Sequence, residues 1–153
     1  MMIEIDEFDL KILRALQTDA SLSVDQLAEI VVLSRNACWR RVKRLESEKI
    51  ITRRVCLIEP AAVDLELLVF VMIRALGHEP EWLKKFKQAV TTMPEIIGAH
   101  RMSGDLDYVL RVRVRDVKAY DLFYQRLIEK VPIADLSASF VMEDLKNTTE
   151  LPI

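Results

Sequence analysis

Between residues 7 and 50 the apolar positions recur at three- and four-residue spacing, whereas beyond residue 67 runs of alternation interrupt runs of helical spacing. The first region predicts three short helices. In "FDLKILRALQTDA", Leu10, Leu13 and Leu16 with Ile12 form an apolar stripe, and Asp9 is placed to cap the start. Ser23 opens a second helix with Gln26 three residues on, the capping-box pattern, and Leu27, Ile30 and Val31 supply the inward face. After a tight turn, Ser34 caps a third helix in which Cys38, Val42 and Leu45 face the core. On a wheel of about 100° per residue, Asn36, Arg40, Lys43 and Ser47 lie on the opposite side, with Arg35 and Trp39 on one flank and Arg44 on the other. An indole on a helix flank ordinarily completes packing between helices, and that role is expected for Trp39.

The strand-like "IITRRVCLIEP" ends at Pro60, and "AAVDLE" reads as a linker. "LLVFVMIRA" (67–75) is then a buried strand, and "PEWLKKFKQAVTTM" an amphipathic helix with Trp82, Leu83, Phe86 and Val90 inward. "EIIGAHRM" and "DYVLRVRVR" are strands joined by "SGDL", a glycine-containing hairpin turn. A second amphipathic helix runs through Tyr120, Phe123, Tyr124, Leu127 and Val131, and "ADLSASFVMEDL" closes as a strand. The order βαββαβ is the ferredoxin-like arrangement, so the expected class is α+β. In the third strand Tyr108, Leu110, Val112 and Val114 alternate with Val109, Arg111, Arg113 and Arg115. One set packs on the helices; the other meets solvent or a second subunit.

A chain of 153 residues with 51% hydrophobic content can bury a core in one ordinary domain or two small ones. No apolar run approaches the roughly 18 residues of a membrane span, and "MMIEIDEFDL" lacks the basic flank and apolar centre of a signal peptide. A cytoplasmic location is expected. Cys38 and Cys56 show neither CxxC spacing nor a neighbouring histidine cluster, so both are expected to be buried thiols, with no metal and no cofactor. The formal charge is −2, yet the segment from Arg35 to Arg54 carries +6. A charge run on a helix is usually a solvated face. Here it is the outer face of the last helix in a tri-helical unit, which is what a major groove requires. Arginine and lysine neutralise phosphates and reach guanine edges, asparagine pairs with adenine, and a helix N-terminus meets a phosphate. Arg53 and Arg54 would lie beside the groove, while the acidic remainder limits indiscriminate binding.

"LSRNACWRRVKRLESEKII", "SGDLDY" and the terminal "FVMEDLKNTTELPI", in this order and at these separations, resemble the Lrp/AsnC (leucine-responsive / asparagine-synthetase-activator, or feast/famine) family of transcriptional regulators. The resemblance implies a winged helix-turn-helix over residues 1–50, a linker strand over 51–65 and a ferredoxin-like effector domain over 66–153. It also implies double-stranded DNA as a partner, a homodimer joined through the sheet and further assembled into an octamer, and a small effector, typically an amino acid, between neighbouring effector domains. Carried onto this chain, the DNA-facing positions are Ser34, Arg35, Asn36, Arg40, Lys43 and Arg44, with Arg53 and Arg54 beside them. The effector positions are Arg101, Met102, Ser103, Gly104, Asp105, Asp107 and Tyr108, with a second wall in Ser137, Ser139 and Phe140. Backbone N–H groups of a Gly-Asp turn hold a carboxylate, and Asp105 or Asp107 holds an ammonium.

Where the family often has glycine, this chain has Ala20, Val32, Lys49 and Ile133. Val32 matters most, because a β-branched residue fits poorly in the left-handed conformation that such a turn uses. Two other readings of the fold remain open: a decarboxylase of sirohaem-type tetrapyrroles, and an architectural DNA-binding protein that ignores effectors. Against the enzyme stand the two lone histidines, His78 and His100, and the lack of any Ser-His-Asp, Cys-His or phosphate-loop arrangement.

Overall fold

The computed structural model describes residues 4–77 and 79–153, so His78 lies outside the described residues. The chain forms two compact units, one made of residues up to Leu57 together with Lys146–Ile153, the other of Ile58–Leu145.

The first unit contains α1 (Glu7–Thr18), α2 (Val24–Val31) and α3 (Arg35–Ser47). Its core is Ile12, Leu27, Ala28, Val31, Cys38, Val42 and Leu45. Ser23 and Ser34 cap α2 and α3 as their sequence context predicts, with Ser23 and Gln26 closing a reciprocal box. The α1 cap differs from expectation. Asp6 is the N-cap, Asp9 is the third helical residue, and each carboxylate accepts the other's backbone N–H. Ile30 is exposed and Ala28 takes its place in the core, because Leu27, Ala28 and Val31 centre the inward face about 100° away from Ile30.

The expected linker strand is not formed. Residues 52–59 join no ladder among the described residues, whereas a strand requires a partner edge. Cys56 is consequently exposed rather than buried, while Cys38 is buried as expected. Pro60–Val63 turns as a short 3₁₀ helix.

The segment Lys146–Ile153 groups by contacts with the first unit. The Gln17 amide both donates to the Leu151 carbonyl at 3.2 Å and accepts the Leu151 N–H at 2.7 Å, and Arg14 donates to the Ile153 carbonyl at 2.6 Å. A side-chain amide presenting one donor and one acceptor thus imitates a neighbouring strand, and the pairing fixes the segment along α1.

The second unit is an antiparallel sheet in the order β2-β3-β1-β4, built from β1 (Leu67–Ala75), β2 (Ile96–Arg101), β3 (Tyr108–Val114) and β4 (Ile133–Phe140). The helices α4 (Pro80–Thr92) and α5 (Val117–Lys130) complete the βαββαβ order. Val69, Val71 and Ile73 of β1 and Leu110 and Val112 of β3 point to the helices, where Trp82, Phe86, Phe123 and Leu127 close the core. The alternate residues make the other sheet face: Leu68, Phe70 and Met72 lie opposite Arg113, Arg111 and Val109.

Val32 occupies the left-handed region at φ 58° and ψ 53°, and is 84% exposed. Lys49 and Asp64 share this region, but neither is β-branched. The Val32 N–H caps Ala28 and Glu29 carbonyls, so the conformation is imposed by the close of α2. Its side chain gains nothing in return, and the conformation costs about 1–2 kcal/mol for an L-residue. Val32→Gly is therefore expected to raise stability by about 1 kcal/mol, part of the relief being offset by the greater entropy of an unfolded glycine. Thermal and urea denaturation followed by circular dichroism would measure it; an unchanged or lower midpoint would refute the strain.

Candidate nucleic-acid interface and effector region

α3 is fixed from below by its core face and from the side by charge. Asp9, fully buried, receives Arg41 at 2.9 Å on one oxygen and the Arg44 guanidinium on the other. Arg41 also meets Asp6 at 2.6 Å, and Arg44 reaches the Glu4 carbonyl at 3.4 Å. The Asp9 backbone N–H and then the Arg41 guanidinium hold the Asp6 carboxyl below its usual range; Asp6 and Asp9 in turn raise Arg41. The sequence marks Asp9 only as a cap and Arg41 not at all. A signal existed: Asp9 falls inside the stripe made by Ile12, Leu13 and Leu16, where an acid requires a buried partner.

The eight expected DNA-facing residues divide by what they already hold. Ser34 spends its hydroxyl on the cap, accepting the Ala37 N–H at 3.3 Å. Arg44, on the flank of α3, reaches towards Asp9, its guanidinium lying over the N-terminus of α1. Arg54 is likewise engaged, on Glu46 at 3.3 Å and on the Ala20 carbonyl at 3.2 Å. Lys43 meets Glu46 at 2.9 Å, and the Lys43 ammonium first, then Arg54, lowers the Glu46 carboxyl below its usual range. Arg35 meets Asp25 at 2.9 Å with both partners exposed, a pair worth about 0–1 kcal/mol and readily exchanged for a phosphate. Asn36, Arg40 and Arg53 make no side-chain hydrogen bond or ion pair among the described residues. Trp39 does not pack between helices as expected; it stands half exposed on the outer side of α3.

In the second unit, residues 102–107, which follow Arg101 at the end of β2, form a closed loop in which the Met102 N–H donates to the Asp107 carbonyl at 2.8 Å. Gly104 sits at φ +114° with open space around it, and Ser103 and Asp105 are exposed. Asp107 braces the sheet, its carboxylate accepting the Ala75 N–H at 2.8 Å where the β1–β4 register shifts. Tyr108 lies in the core, its ring 4.4 Å from that of Phe86. The expected second wall is split, because successive strand residues point to opposite faces. Phe140 is on the helix side, edge-on to Tyr120 at 5.3 Å, whereas Ser137 and Ser139 pair with Met72 and Phe70 on the other face. A cavity of about 300 Å³ opens instead between α4 and β2, lined in part by Phe86, Lys87, Val90, Thr91, Arg101 and Tyr108. Arg101 and Tyr108 are legible in the sequence; Lys87 and Thr91, on a different element, are not.

Residues 5–46 match the AsnC-type helix-turn-helix domain, and residues 68–151 match the Lrp/AsnC ligand binding domain. The chain belongs to the Lrp/AsnC family. This member is 46% identical over 150 residues to the DNA-binding transcriptional activator DecR of Escherichia coli K12, covering 97% of this chain and 99% of that protein. It is 43% identical over 153 residues to the glutamate uptake regulatory protein of Zymomonas mobilis, covering 100% of this chain and 93% of that one. Among solved structures, an AsnC family transcriptional regulator from Agrobacterium tumefaciens matches with a TM-score of 0.93 at 50% identity, over 96% of each chain. A transcriptional regulator from Neisseria meningitidis in complex with L-Met matches with a TM-score of 0.93 at 31% identity, over 97% of each chain. No helix among the described residues is long and apolar enough to cross a membrane.

Within this Lrp/AsnC member the buried Asp9 leads to a sharp expectation. Asp9→Ala leaves Arg44 without its carboxylate and Arg41 with Asp6 alone, and since both guanidiniums are partly exposed the cost is expected at about 1–3 kcal/mol. The loss should appear as a lower urea midpoint. Lowered Asp6 and Glu46 carboxyls add stability that is present above their unfolded pKa values and is lost as pH falls through the folded ones. The first unit is thus expected to lose part of its stability as pH falls from the ordinary carboxylate range downwards, and an acid titration insensitive to Asp6→Asn would count against the network.

Proposed function

We propose that the chain is a cytoplasmic transcriptional regulator, not an enzyme, whose α3 reads the major groove of double-stranded DNA and whose second unit takes a small effector, an α-amino acid. The carrying observation is the outer face of α3, where Asn36 and Arg40 are unengaged among the described residues and Lys43 and Arg35 hold only exchangeable partners. The two regulators at 46% and 43% identity support the same reading. Replacing Arg40 and Lys43 together by Ala is expected to leave the fold intact, lower operator affinity and flatten the dependence of log K on log salt by about two phosphate contacts. A folded double variant with the parental salt slope would remove α3 from the interface.

For the effector, Arg101 and the loop 102–107 offer a guanidinium and turn N–H groups to a carboxylate, and Asp105 or Asp107 to an ammonium, beside the cavity that Arg101 helps to line. The complex of the Neisseria meningitidis regulator with L-Met supports an amino acid as the ligand class. The sheet face bearing Phe70, Met72, Val109 and Arg111 is the proposed dimer contact, with dimers joining into an octamer. A thermal-shift screen of the standard amino acids, with sedimentation run alongside, tests both. The expected result is one or a few stabilising amino acids and no monomer at micromolar concentration. Asp105→Ala should then abolish the response at unchanged melting temperature. Asp107→Ala should abolish it and also cost about 1–3 kcal/mol, because the Ala75 N–H loses its acceptor. Normal responses in both variants would place the pocket elsewhere.

A further inference from the structure

The Trp39 side chain is 50% exposed, and it is the one large apolar residue of α3 that faces solvent. It is neither in the first unit's core nor among the hydrophobic residues packed against that core. Its indole N–H has no hydrogen-bond partner among the described residues. On the helix it follows Arg35 and Asn36 by four and three positions and precedes Lys43 by four, so these side chains surround it on one surface. Arg40 adjoins it. A broad apolar ring bordered by cations and an amide suits a partner that is anionic at its rims and offers an apolar spot between them. The DNA major groove does so at one chemical group, the C5 methyl of thymine.

We propose that Trp39 is a specificity-determining residue, laying its indole face on a thymine methyl within each half-site. The assignment rests on α3 entering the major groove, and the test separates the two ideas. An operator is first selected from a random DNA pool with the full-length protein. Each thymine is then replaced singly by uracil, which removes only the methyl. At one or two positions per half-site affinity should fall roughly four-fold, the equivalent of about 0.8 kcal/mol for one buried methyl. In Trp39→Ala that penalty should vanish while penalties elsewhere persist; Trp39→Phe, which keeps an aromatic face, should retain part of it. Circular dichroism establishes that both variants are folded.

Fluorescence gives an independent readout. The chain has two tryptophans, and the other, Trp82, is buried in the second unit with its ring stacked 5.1 Å from Phe86. In a Trp82→Phe background, emission from Trp39 should change on adding operator. Uracil penalties that are identical in the parent and in Trp39→Ala, or absent at every thymine, would overturn the proposal. If Arg40→Ala and Lys43→Ala weaken binding while the Trp39 cycle is flat, only the indole assignment falls. If those two variants bind normally, the placement of α3 falls with it.

Discussion

The Asp9 carboxylate is the constraint from which the first unit takes its shape. A carboxylate without water must be met by charge or hydrogen bonds on both oxygens, and here a backbone N–H and two guanidiniums do so. Those guanidiniums come from consecutive turns of α3, so satisfying one acid on α1 fixes both the tilt and the rotation of the helix that carries the outward residues. Hydrophobic contacts through Cys38, Val42 and Leu45 bring the two helices together but, being non-directional, leave rotation only loosely set. The ionic contact supplies the direction. It also explains why a strongly basic helix presents fewer free cations than its sequence suggests: part of its charge is spent inward.

The second unit obtains its directionality differently. Strict alternation in β3 puts Tyr108, Leu110, Val112 and Val114 against the helices, and this leaves Val109, Arg111 and Arg113 on the other face. A one-residue slip would exchange the two sets, so burial of four large side chains fixes the register. At the far end of the sheet the register does shift, between Arg74 and Ala75, and Asp107 supplies the acceptor that the displaced Ala75 N–H requires. The loop expected to meet the effector is therefore tied into the sheet by one of its own acids. A ligand drawing on Asp107 would compete with that backbone hydrogen bond.

Most of the architecture is legible in the sequence because it rests on local periodicity. Ser23 and Ser34 as caps, the inward faces of α3, α4 and α5, and the alternation of β3 each depend on residues within a turn or two of one another. What escapes a sequence reading depends on distant partners. Asp9 reads as a cap because its neighbours suggest one; its true environment is supplied by Arg41 and Arg44, more than thirty residues on. Residues 52–59 read as a strand from composition, but strand formation is a property of two segments, and the position of Cys56 is misjudged for the same reason. Ser139 and Phe140 read as parts of one wall because they are adjacent in sequence, although adjacency in a strand means opposite faces. The docking of Leu151 on Gln17 carries no periodic signal at all.

That docking bears on the order in which the molecule is completed during synthesis. The helices of the first unit leave the ribosome early, but Leu151 and Ile153, which satisfy Gln17 and Arg14, are added only after all of Ile58–Leu145. At about 5–20 residues per second, roughly five to twenty seconds of elongation separate α3 from these residues. Until then the polar side chains of Arg14 and Gln17 on α1 lack these backbone partners. The contacts that Leu151 and Ile153 make with α1 are thus formed by residues on the far side of the sheet-forming segment in sequence.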